Sequence, residues 1–444
     1  MGTAFVQMAY SLTDMFWVGQ NGSESVAAIG TAGFYVALSM AFIIISRVGG
    51  EVYVAQSIGR KDLQGAKHYA ESAIQLNIFI GIIYGLFVLV FKDSLLGFFR
   101  IDNLNVLSMA KTYLTIMGIG MSFSFINPMF TGIFNGSGNS STPFYINLLG
   151  LSLNMILDPI LIRGLLFFPK LGVAGAALAT IMSQILVTVS FLIVIHKRKE
   201  VYFKLNIFNK LDLSRIENIS RVGIPVAIQS GGFTLIAMVI GRIVASYGPE
   251  AIAVQNIGAQ IESLSWMTAS GFSTAISTFV GQNFGAKKYD RVLDGFKSGI
   301  KIMSVVGIAV TLILYFFAKP LFSIFINEPK TIIMGVAYLQ ILAISQWFMT
   351  MEISCEGAFR GVSKTIYPSF ISLTFNILRI PLALFLANNI GLGLTGVWWA
   401  ISISTIFKGS ILLGAFYFVI QKPFSIKIDE DKNINDEIYI EEKI

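Results

Sequence analysis

Residues 144–162 read FYINLLGLSLNMILDPILI, an apolar run in which Asp158 is the only charged residue. As an α-helix, a run of this length crosses the ~30 Å hydrocarbon core of a bilayer. A charged side chain at mid-bilayer costs at least ~2.5–3.5 kcal/mol, so such a residue faces protein or water and often marks an ion path. Residues 2–18, GTAFVQMAYSLTDMFWV, hold Asp14 in a similar setting. Two carboxylates inside apolar runs indicate a transport protein.

The composition is that of a membrane protein. Hydrophobic residues make up 55% of the chain, charged residues only 13%, and the mean hydropathy is +0.72. A soluble domain is roughly a quarter charged, so most of this chain's surface must face lipid. Twelve runs are long enough to span, which predicts an all-α membrane protein with twelve transmembrane helices. The runs are 2–18, 26–50, 69–92, 109–134, 143–163, 172–195, 221–246, 251–281, 297–318, 333–358, 366–388 and 396–420.

The lysine and arginine residues are unevenly divided between the loops on the two sides. One set of loops holds 14 and the other holds six. Cytoplasmic loops carry the excess, so both termini are predicted to be cytoplasmic. The basic segment 196–220 is predicted to be a cytoplasmic linker between six-helix bundles at 1–195 and 221–422. The polar tail 423–444 is predicted to be disordered.

The two halves of the chain resemble each other. GSESVAAIGTAG (22–33) aligns with GPEAIAVQNIGA (248–259), and NMILDPILI (154–162) aligns with NILRIPLAL (376–384). The corresponding offsets, 226 and 222, differ by only a few residues. Each half contains an even number of spans, so both enter the membrane with the same polarity. Such parallel repeats predict two bundles related by a pseudo-two-fold axis along the membrane normal.

The repeat also indicates that the first span is incomplete. The opening helix of the second half contains Pro225, and an offset of 226 puts the counterpart of that proline before Met1. The run 2–18 is short for a membrane span. We therefore expect the first helix to be truncated. The alternative is a short first helix that tilts little.

Neither intramembrane aspartate is duplicated. The positions that correspond to Asp14 and Asp158 are Ile240 and Ile380. A residue needed to fold both halves would recur, as Asn154 does. Polar groups found in one half only point to function, so we expect the cation site in the N-terminal bundle.

Five polar residues of the first and fifth spans form the predicted cation site. Gln7, Tyr10 and Asp14 share one side of a helix, and Asn154 and Asp158 lie one turn apart. Carboxylate, amide and hydroxyl oxygens suit a hard cation such as Na⁺. Neighbouring desolvated carboxylates also gain proton affinity, so both Na⁺ and H⁺ remain open as the coupling ion. The alternative is that both aspartates are structural and bond neighbouring helices.

Two further polar residues of this half are candidates. Asn127 in the fourth span could add an amide, or could bond the backbone freed by the proline that follows it. Thr180 in the sixth span could add a hydroxyl, although threonine commonly bonds its own helix backbone.

The second half carries its own charges within the spans. Glu262 and Arg379 could pair with each other and be structural. Alternatively, Glu262 lines a cavity that attracts cationic substrates. Glu352 and Glu356, near the cytoplasmic end of the tenth span, are expected to reach an aqueous opening.

The sequence argues against an enzyme. No predicted span contains a histidine, Cys355 has no basic partner, and no GxxxxGK[ST] motif is present. His68 and His196 have no ligand partner at metal-binding spacing, and the basic residues are too dispersed for a nucleic-acid surface. We expect a monomer in the lipid bilayer with no cofactor beyond the coupling ion.

Five motifs occur in order within the twelve predicted spans. They are TDMFWVGQNGSESVAAIG (13–30), GIFNGSGNSSTP (132–143), NMILDPILI (154–162), LGVAGAALAT (171–180) and VGQNFGAKK (280–288). Each motif alone is weak, but together they are specific. In them, and over essentially its whole length, the chain resembles the multidrug and toxic compound extrusion (MATE) family.

The resemblance implies two six-helix bundles that form a V-shaped cleft. It also implies secondary antiport, in which Na⁺ or H⁺ enters while an amphipathic, often cationic compound leaves. In prokaryotic relatives the cation site lies in the N-terminal bundle, at positions matched by Asp14, Asn154 and Asp158. Further polar positions around that site are matched by Gln7, Tyr10, Thr180 and, less closely, Asn127.

Some features depart from the family pattern. Certain relatives place a cation site in the C-terminal bundle with a glutamate on the seventh span, but AIQSGGFTL (227–235) contains no acid. If the first helix is truncated as expected, its opening and the usual proline are missing as well. The alternative function is a lipid-linked oligosaccharide flippase of related fold. That function would require more charge to hold a pyrophosphate than Arg242, Arg379 and Lys408 supply.

Overall fold

The computed structural model describes residues 17–99, 103–165, 168–326 and 328–428. Within these ranges the chain is helical and contains no strand. The α-helices, numbered along the described residues, are α1 (Ser23–Gly59), α2 (Leu63–Gly97), α3 (Leu104–Gly136), α4 (Ser141–Arg163), α5 (Val173–Lys197), α6 (Leu213–Ala245), α7 (Pro249–Gly285), α8 (Tyr289–Phe316), α9 (Ala318–Ser323), α10 (Pro329–Gly361), α11 (Ile366–Leu384) and α12 (Leu394–Phe416).

Ten helices in the described part of the chain are long and apolar enough to cross a membrane. They correspond to ten of the twelve predicted spans. Of the other two, 251–281 forms α7, which has 37 residues but is interrupted by Gln, Ser, Thr and Glu262. The run 2–18 lies outside the described residues except for its last two positions. The prediction of an all-α membrane protein is confirmed.

The helices form two compact units. The N-terminal unit comprises Met1–Ile58 and Asp62–Ala227, and the C-terminal unit comprises Gly59–Lys61 and Ile228–Ile444. The boundary falls inside α6, beyond the predicted linker, because the first turns of that helix pack in the N-terminal unit. Val222, for example, is buried against Val48 and Val52 of α1.

Each unit contains a cluster of packed aromatic rings. In the N-terminal unit Phe134 of α3 packs against Phe191 of α5 and, at a ring distance of 4.6 Å, against Phe203. In the C-terminal unit Phe296 of α8 stacks on Phe416 of α12 at 3.5 Å. Packed aromatic rings bury large areas and so fix the helices that carry them.

The predicted linker is partly helical, and the start of the predicted tail is helical. Segment 196–220 contains the 3₁₀ turn Val201–Phe203, and α6 already begins at Leu213. The prediction of a tail disordered from residue 423 is wrong for 423–428, which continue the helical run that starts with α12. Phe424 is buried there, with its ring 4.7 Å from that of Tyr289. The remainder of the tail lies outside the described residues.

Glu71 on α2 fixes the loop between α5 and α6. Its buried carboxylate accepts the backbone N–H of Asn206 at 2.7 Å and Nδ2 of Asn209 at 2.9 Å. One turn further along α2, Gln75 Nε2 donates to the carbonyl oxygens of Ile207 and Asn209, both at 2.8 Å. Two side chains of one helix therefore hold this loop against the N-terminal unit.

The Glu71→Ala variant is expected to release the loop. A hydrogen bond to a charged group is worth ~1.5–3 kcal/mol, so losing two, ~3 kcal/mol at least, should raise the open population about a hundredfold or more. Trypsin cleavage after Lys204 and Lys210 in detergent should accelerate by the same factor. The control is Glu217→Ala, which breaks an exposed pair with Arg221. Equal cleavage rates for the two variants would contradict the assigned role of Glu71.

Candidate functional site

Asp158 on α4 is the centre of the candidate site in the N-terminal unit. Its exposed fraction is 0%, and Asn154, one turn earlier, is 2% exposed. We orient the Asn154 amide so that both of its groups are satisfied. Nδ2 then donates to Asp158 Oδ2 at 3.0 Å, and Oδ1 accepts the backbone N–H of Thr180 at 3.2 Å. The Asn154–Asp158 pair of α4 is therefore linked to α5.

Glycine allows α4 and α5 to approach this closely. A Cβ on Gly175 would lie 2.4 Å from the carbonyl oxygen of Leu161. A Cβ on Gly150 would lie 2.2 Å from the Val187 side chain. Such contacts exclude any larger residue, and small residues are the usual means of close helix packing in membranes.

One face of α5 carries polar residues at a spacing of four. They are Thr180, Gln184 and Thr188, which a helix places along one side. The Thr180 hydroxyl donates to the carbonyl of Ala176 in its own helix at 3.0 Å. Thr180 therefore donates a hydrogen bond to Asn154 through its backbone N–H and not through its hydroxyl.

Asn127 on α3 is bound by the other two residues of this face. Its Nδ2 donates to Gln184 Oε1 at 2.6 Å, and its Oδ1 accepts the Thr188 hydroxyl at 2.7 Å. Asn127 therefore joins α3 to α5. Sequence reasoning missed Gln184 and Thr188, although their spacing from Thr180 would have identified the polar face.

Three predicted site residues lie outside the described part of the chain: Gln7, Tyr10 and Asp14. The residues that follow them, Trp17 and Val18, pack against Ile162 of α4 and Ala176 of α5. Ile162 lies one turn beyond Asp158. The end of the first predicted span thus contacts the two helices that hold the Asp158 group.

The Asp158 group offers oxygen atoms to a ligand. A carboxylate in an apolar interior is poorly solvated, so a proton or a bound cation stabilises it. Within the residues that the structure describes, no three His, Cys, Asp or Glu side chains are grouped so as to hold a metal ion. The chemistry available at Asp158 is binding and release of a proton or of a cation held by oxygen ligands.

Glu262 on α7 lies in a polar group of the C-terminal unit. The carboxylate accepts the Tyr338 hydroxyl at 3.0 Å and Gln346 Nε2 at 2.7 Å. Ser265, one turn along α7, donates to Gln346 Oε1 at 3.0 Å. Tyr338 and Gln346 both come from α10. Their part in the site was missed, because spacing within one span does not reveal which spans touch.

Arg379 on α11 is buried, and its Nε donates to Ser404 of α12 at 2.9 Å. Across the described chain, no ion pair within 4.0 Å joins Arg379 to Glu262. The carboxylates of Glu352 and Glu262 interact with the guanidinium over a longer distance. The direct Glu262–Arg379 pair, one of the two alternatives, is therefore not formed.

A buried ion pair joins α10 and α12. Lys408 Nζ lies 2.9 Å from Glu352 Oε1, and each residue is 6% exposed. The Ser372 hydroxyl also donates to Glu352, at 3.1 Å. The expectation that Glu352 reaches an aqueous opening is wrong, because Lys408 supplies its countercharge inside the unit. Glu356 is mostly buried, with 15% of its side chain exposed, and accepts a hydrogen bond from Gln229 Nε2 at 2.5 Å.

Comparison with known proteins places this arrangement in context. The profile of the MatE family matches residues 1–160 and 225–385. The chain is 30% identical over 415 residues to the probable multidrug resistance protein NorM of Thermotoga maritima, covering 93% of this chain and 89% of that protein. It is 27% identical over 425 residues to the probable multidrug resistance protein YoeA of Bacillus subtilis, covering 94% and 91%.

Solved structures share the fold. An outward-facing multidrug resistance MATE family transporter of the MOP superfamily superposes with a TM-score of 0.87 at 22% identity, covering 96% of this chain and 93% of that one. A MOP superfamily transporter from Pyrococcus furiosus gives a TM-score of 0.85 at 22% identity, covering 95% and 93%. At this identity the likeness establishes the fold alone.

Proposed function

Because this chain belongs to the MatE family of membrane transporters, we propose that it exports amphipathic, often cationic compounds in exchange for Na⁺ or H⁺. Relatives named as multidrug resistance proteins align over about nine-tenths of the chain and support this class of substrate. The chain is a multi-pass membrane protein. The excess of lysine and arginine in one set of loops supports the cell membrane as its location, with both termini in the cytoplasm.

The buried carboxylate of Asp158 carries the proposal. A structural aspartate is stabilised by permanent hydrogen-bond donors. A coupling aspartate must bind a cation or a proton and release it again during each transport cycle. Asn154 supplies one donor to Asp158 and, through Thr180, ties it to α5. A cation bound by the carboxylate would change the charge at the junction of two helices inside an apolar span.

Asp14 is the second carboxylate of the proposed cation site. It precedes Trp17 by three residues, and Trp17 and Val18 pack close to Ile162 and Ala176. Three residues of chain reach at most ~11 Å, so the covalent chain allows Asp14 to approach the Asp158 group. Gln7 and Tyr10, from the same span, complete the proposed ligand set.

The proposed cycle is alternating access driven by cation binding. The cation binds between Asp158 and Asp14 and removes one of their two negative charges, the first helix rearranges, and substrate affinity falls so that the compound leaves outward. In one-for-one exchange with a monovalent cationic compound the two charges cancel, so a tenfold gradient of the coupling cation, ~1.4 kcal/mol, sustains about a tenfold substrate gradient. For a neutral compound, a potential of 100 mV adds ~2.3 kcal/mol, about fiftyfold. That is sufficient for efflux.

The test is ethidium efflux from proteoliposomes under separate Na⁺ and pH gradients. We expect export to require one of the two gradients and to stop when that gradient is collapsed by an ionophore. Export that is indifferent to both gradients would refute antiport. Saturable binding of ethidium that weakens when the coupling cation is added would support the same cycle without vesicles.

The charges of the C-terminal unit favour antiport over the flippase alternative, because few of its cations are available to bind a pyrophosphate. Of the three cations that could hold a pyrophosphate, Lys408 is paired with Glu352, and Arg379 bonds Ser404 among acidic neighbours. Arg242 is exposed near the end of α6. Lipid-linked pyrophosphate that competed with ethidium for binding would favour the flippase instead.

A further inference from the structure

A cavity of about 590 Å³ opens beside the C-terminal end of α5. This volume falls within the range of small-molecule sites, ~300–1,000 Å³. The lining residues come from α3, from α5 and from the loop that follows α5. They include Phe130, Leu192, His196, Arg198, Lys204 and Leu205.

The loop wall of the cavity is held in place by the N-terminal unit. Phe203 is 3% exposed and packs on Phe134, and Arg198 lies over its ring at 6.0 Å. Glu71 and Gln75 hold the next residues of the loop through four hydrogen bonds. The cavity is therefore a built feature of the fold.

The rim of the cavity is basic. Arg198 donates from Nη1 to Glu200 at 3.2 Å and from Nη2 to Thr142 at 3.3 Å. A guanidinium has five N–H groups, so these contacts leave donors for a further anion. Lys204 is exposed, and His196 lies in the last turn of α5. Lys197 and Lys199 add charge beside the rim without lining it.

The interior is apolar and continuous with the outer surface of α5. Leu192 is 47% exposed and lies one turn before His196, on the part of the helix that crosses the membrane. Phe130 and Leu205 also belong to the apolar lining. The apolar walls, which lie in the membrane-spanning part, suit the acyl chains of a phospholipid, and the cationic rim suits its phosphate. Clusters of lysine and arginine next to a span are a known means of recognising anionic lipids.

We propose that this cavity binds one anionic phospholipid from the adjacent leaflet. The phosphate lies between Arg198 and Lys204, and an acyl chain runs along Leu192 and Leu205. A free phosphate has no acyl chain to contact the apolar interior. A zwitterionic lipid would place its positively charged headgroup beside the basic residues of the rim, where the like charges repel. The inference does not depend on transport, so it stands or falls separately from the proposed function.

Native mass spectrometry in detergent, with phosphatidylglycerol and phosphatidylcholine added in equal amounts, tests the proposal. We expect the protein to retain one phosphatidylglycerol in preference to phosphatidylcholine. R198Q is expected to weaken that retention about fivefold, and R198Q/K204Q about thirtyfold. The control is K287Q/K288Q, which removes two charges from another loop and should leave retention unchanged. Equal retention of the two lipids, or equal losses in both double variants, would overturn the proposal.

Two further measurements on the unmodified protein complete the test. A photoreactive phosphatidylglycerol should label peptides within residues 187–210, and labelling confined to other segments would refute the site. Glycerol phosphate at millimolar concentration should leave the bound lipid in place. Displacement at the same concentration as a short-chain phosphatidylglycerol would show that the ligand is a soluble phosphate.

Discussion

The Asp158→Asn variant is expected to insert normally but to export ethidium no faster than protein-free liposomes, under either a Na⁺ or a pH gradient. Asparagine keeps the shape of the side chain and can still accept the hydrogen bond from Asn154. It cannot bind a proton at neutral pH, and it offers a cation no net charge. The helix junction at Thr180 therefore remains, while the exchange of charge that drives the cycle is lost.

The size of the loss follows from the energy of coupling. One-for-one exchange of ethidium for the coupling cation moves no net charge, so the drive is the concentration gradient of that cation. At a tenfold gradient, ~1.4 kcal/mol, uncoupling removes about a tenfold concentrating power. Ethidium binding should persist in the variant and become insensitive to the coupling cation. Asp14→Asn should behave in the same way if both carboxylates hold one cation.

A matched control comes from another acid of the same unit. Asp93 of α2 is exposed and pairs with Lys111 at 2.7 Å. Asp93→Asn removes one negative charge from the N-terminal unit but not from the candidate site, so export should keep its normal rate and cation dependence. If Asp158→Asn exported as well as Asp93→Asn, Asp158 would be a structural residue and the coupling assignment would be wrong.

Hydropathy located the spans but not the ends of the helices. The run 26–50 predicted a helix of membrane length, whereas α1 extends over Ser23–Gly59. Its 37 residues measure about 55 Å, against a hydrocarbon core of ~30 Å. An apolar run in the sequence predicts only the part of a helix that lies in the hydrocarbon core, and not where the helix begins or ends. The last turns of α1, EVYVAQSIG (51–59), continue beyond the membrane-length run because they pack inside the unit: Val52 is buried against Val222, and Val54 lies in the cluster of Phe134.

Contacts within one span were predictable, and contacts between spans were not. Asn154 and Asp158 are one turn apart, which fixes them on one face of any helix. Their link to Thr180 depends on the close approach at Gly175, which no periodicity reveals. The same limit explains why Glu352 was expected to meet water. Its partner Lys408 is distant in sequence and lies on another helix.

The Glu352–Lys408 pair gives the largest expected stability effect. Removing one member leaves the other charge buried without its partner, which typically costs ~3–5 kcal/mol. Lys408→Met should therefore lower the unfolding temperature by on the order of 10 °C. Lys330→Met is the control, because it removes a lysine whose side chain is 80% exposed and 3.7 Å from Glu250. Such surface pairs are worth ~0–1 kcal/mol.

Cys355 provides the measurement without an added label. It is the only cysteine in the sequence, and it is buried in α10 close to Glu352. A thiol-reactive fluorophore reports unfolding of this region on a temperature ramp, because the thiol reacts only when exposed. Lys408→Met should react at a lower temperature than the wild-type protein, and Lys330→Met should not.

The double variant Glu352→Gln/Lys408→Met separates a buried charge from lost packing. It removes both charges, and the glutamine can still accept the hydrogen bond from Ser372. We expect it to recover most of the stability lost in Lys408→Met, since a buried pair replaced by neutral groups is often close to neutral in free energy. A double variant as unstable as the single one would mean that Lys408 acts through its packing, and the ion pair would then not be what joins α10 to α12.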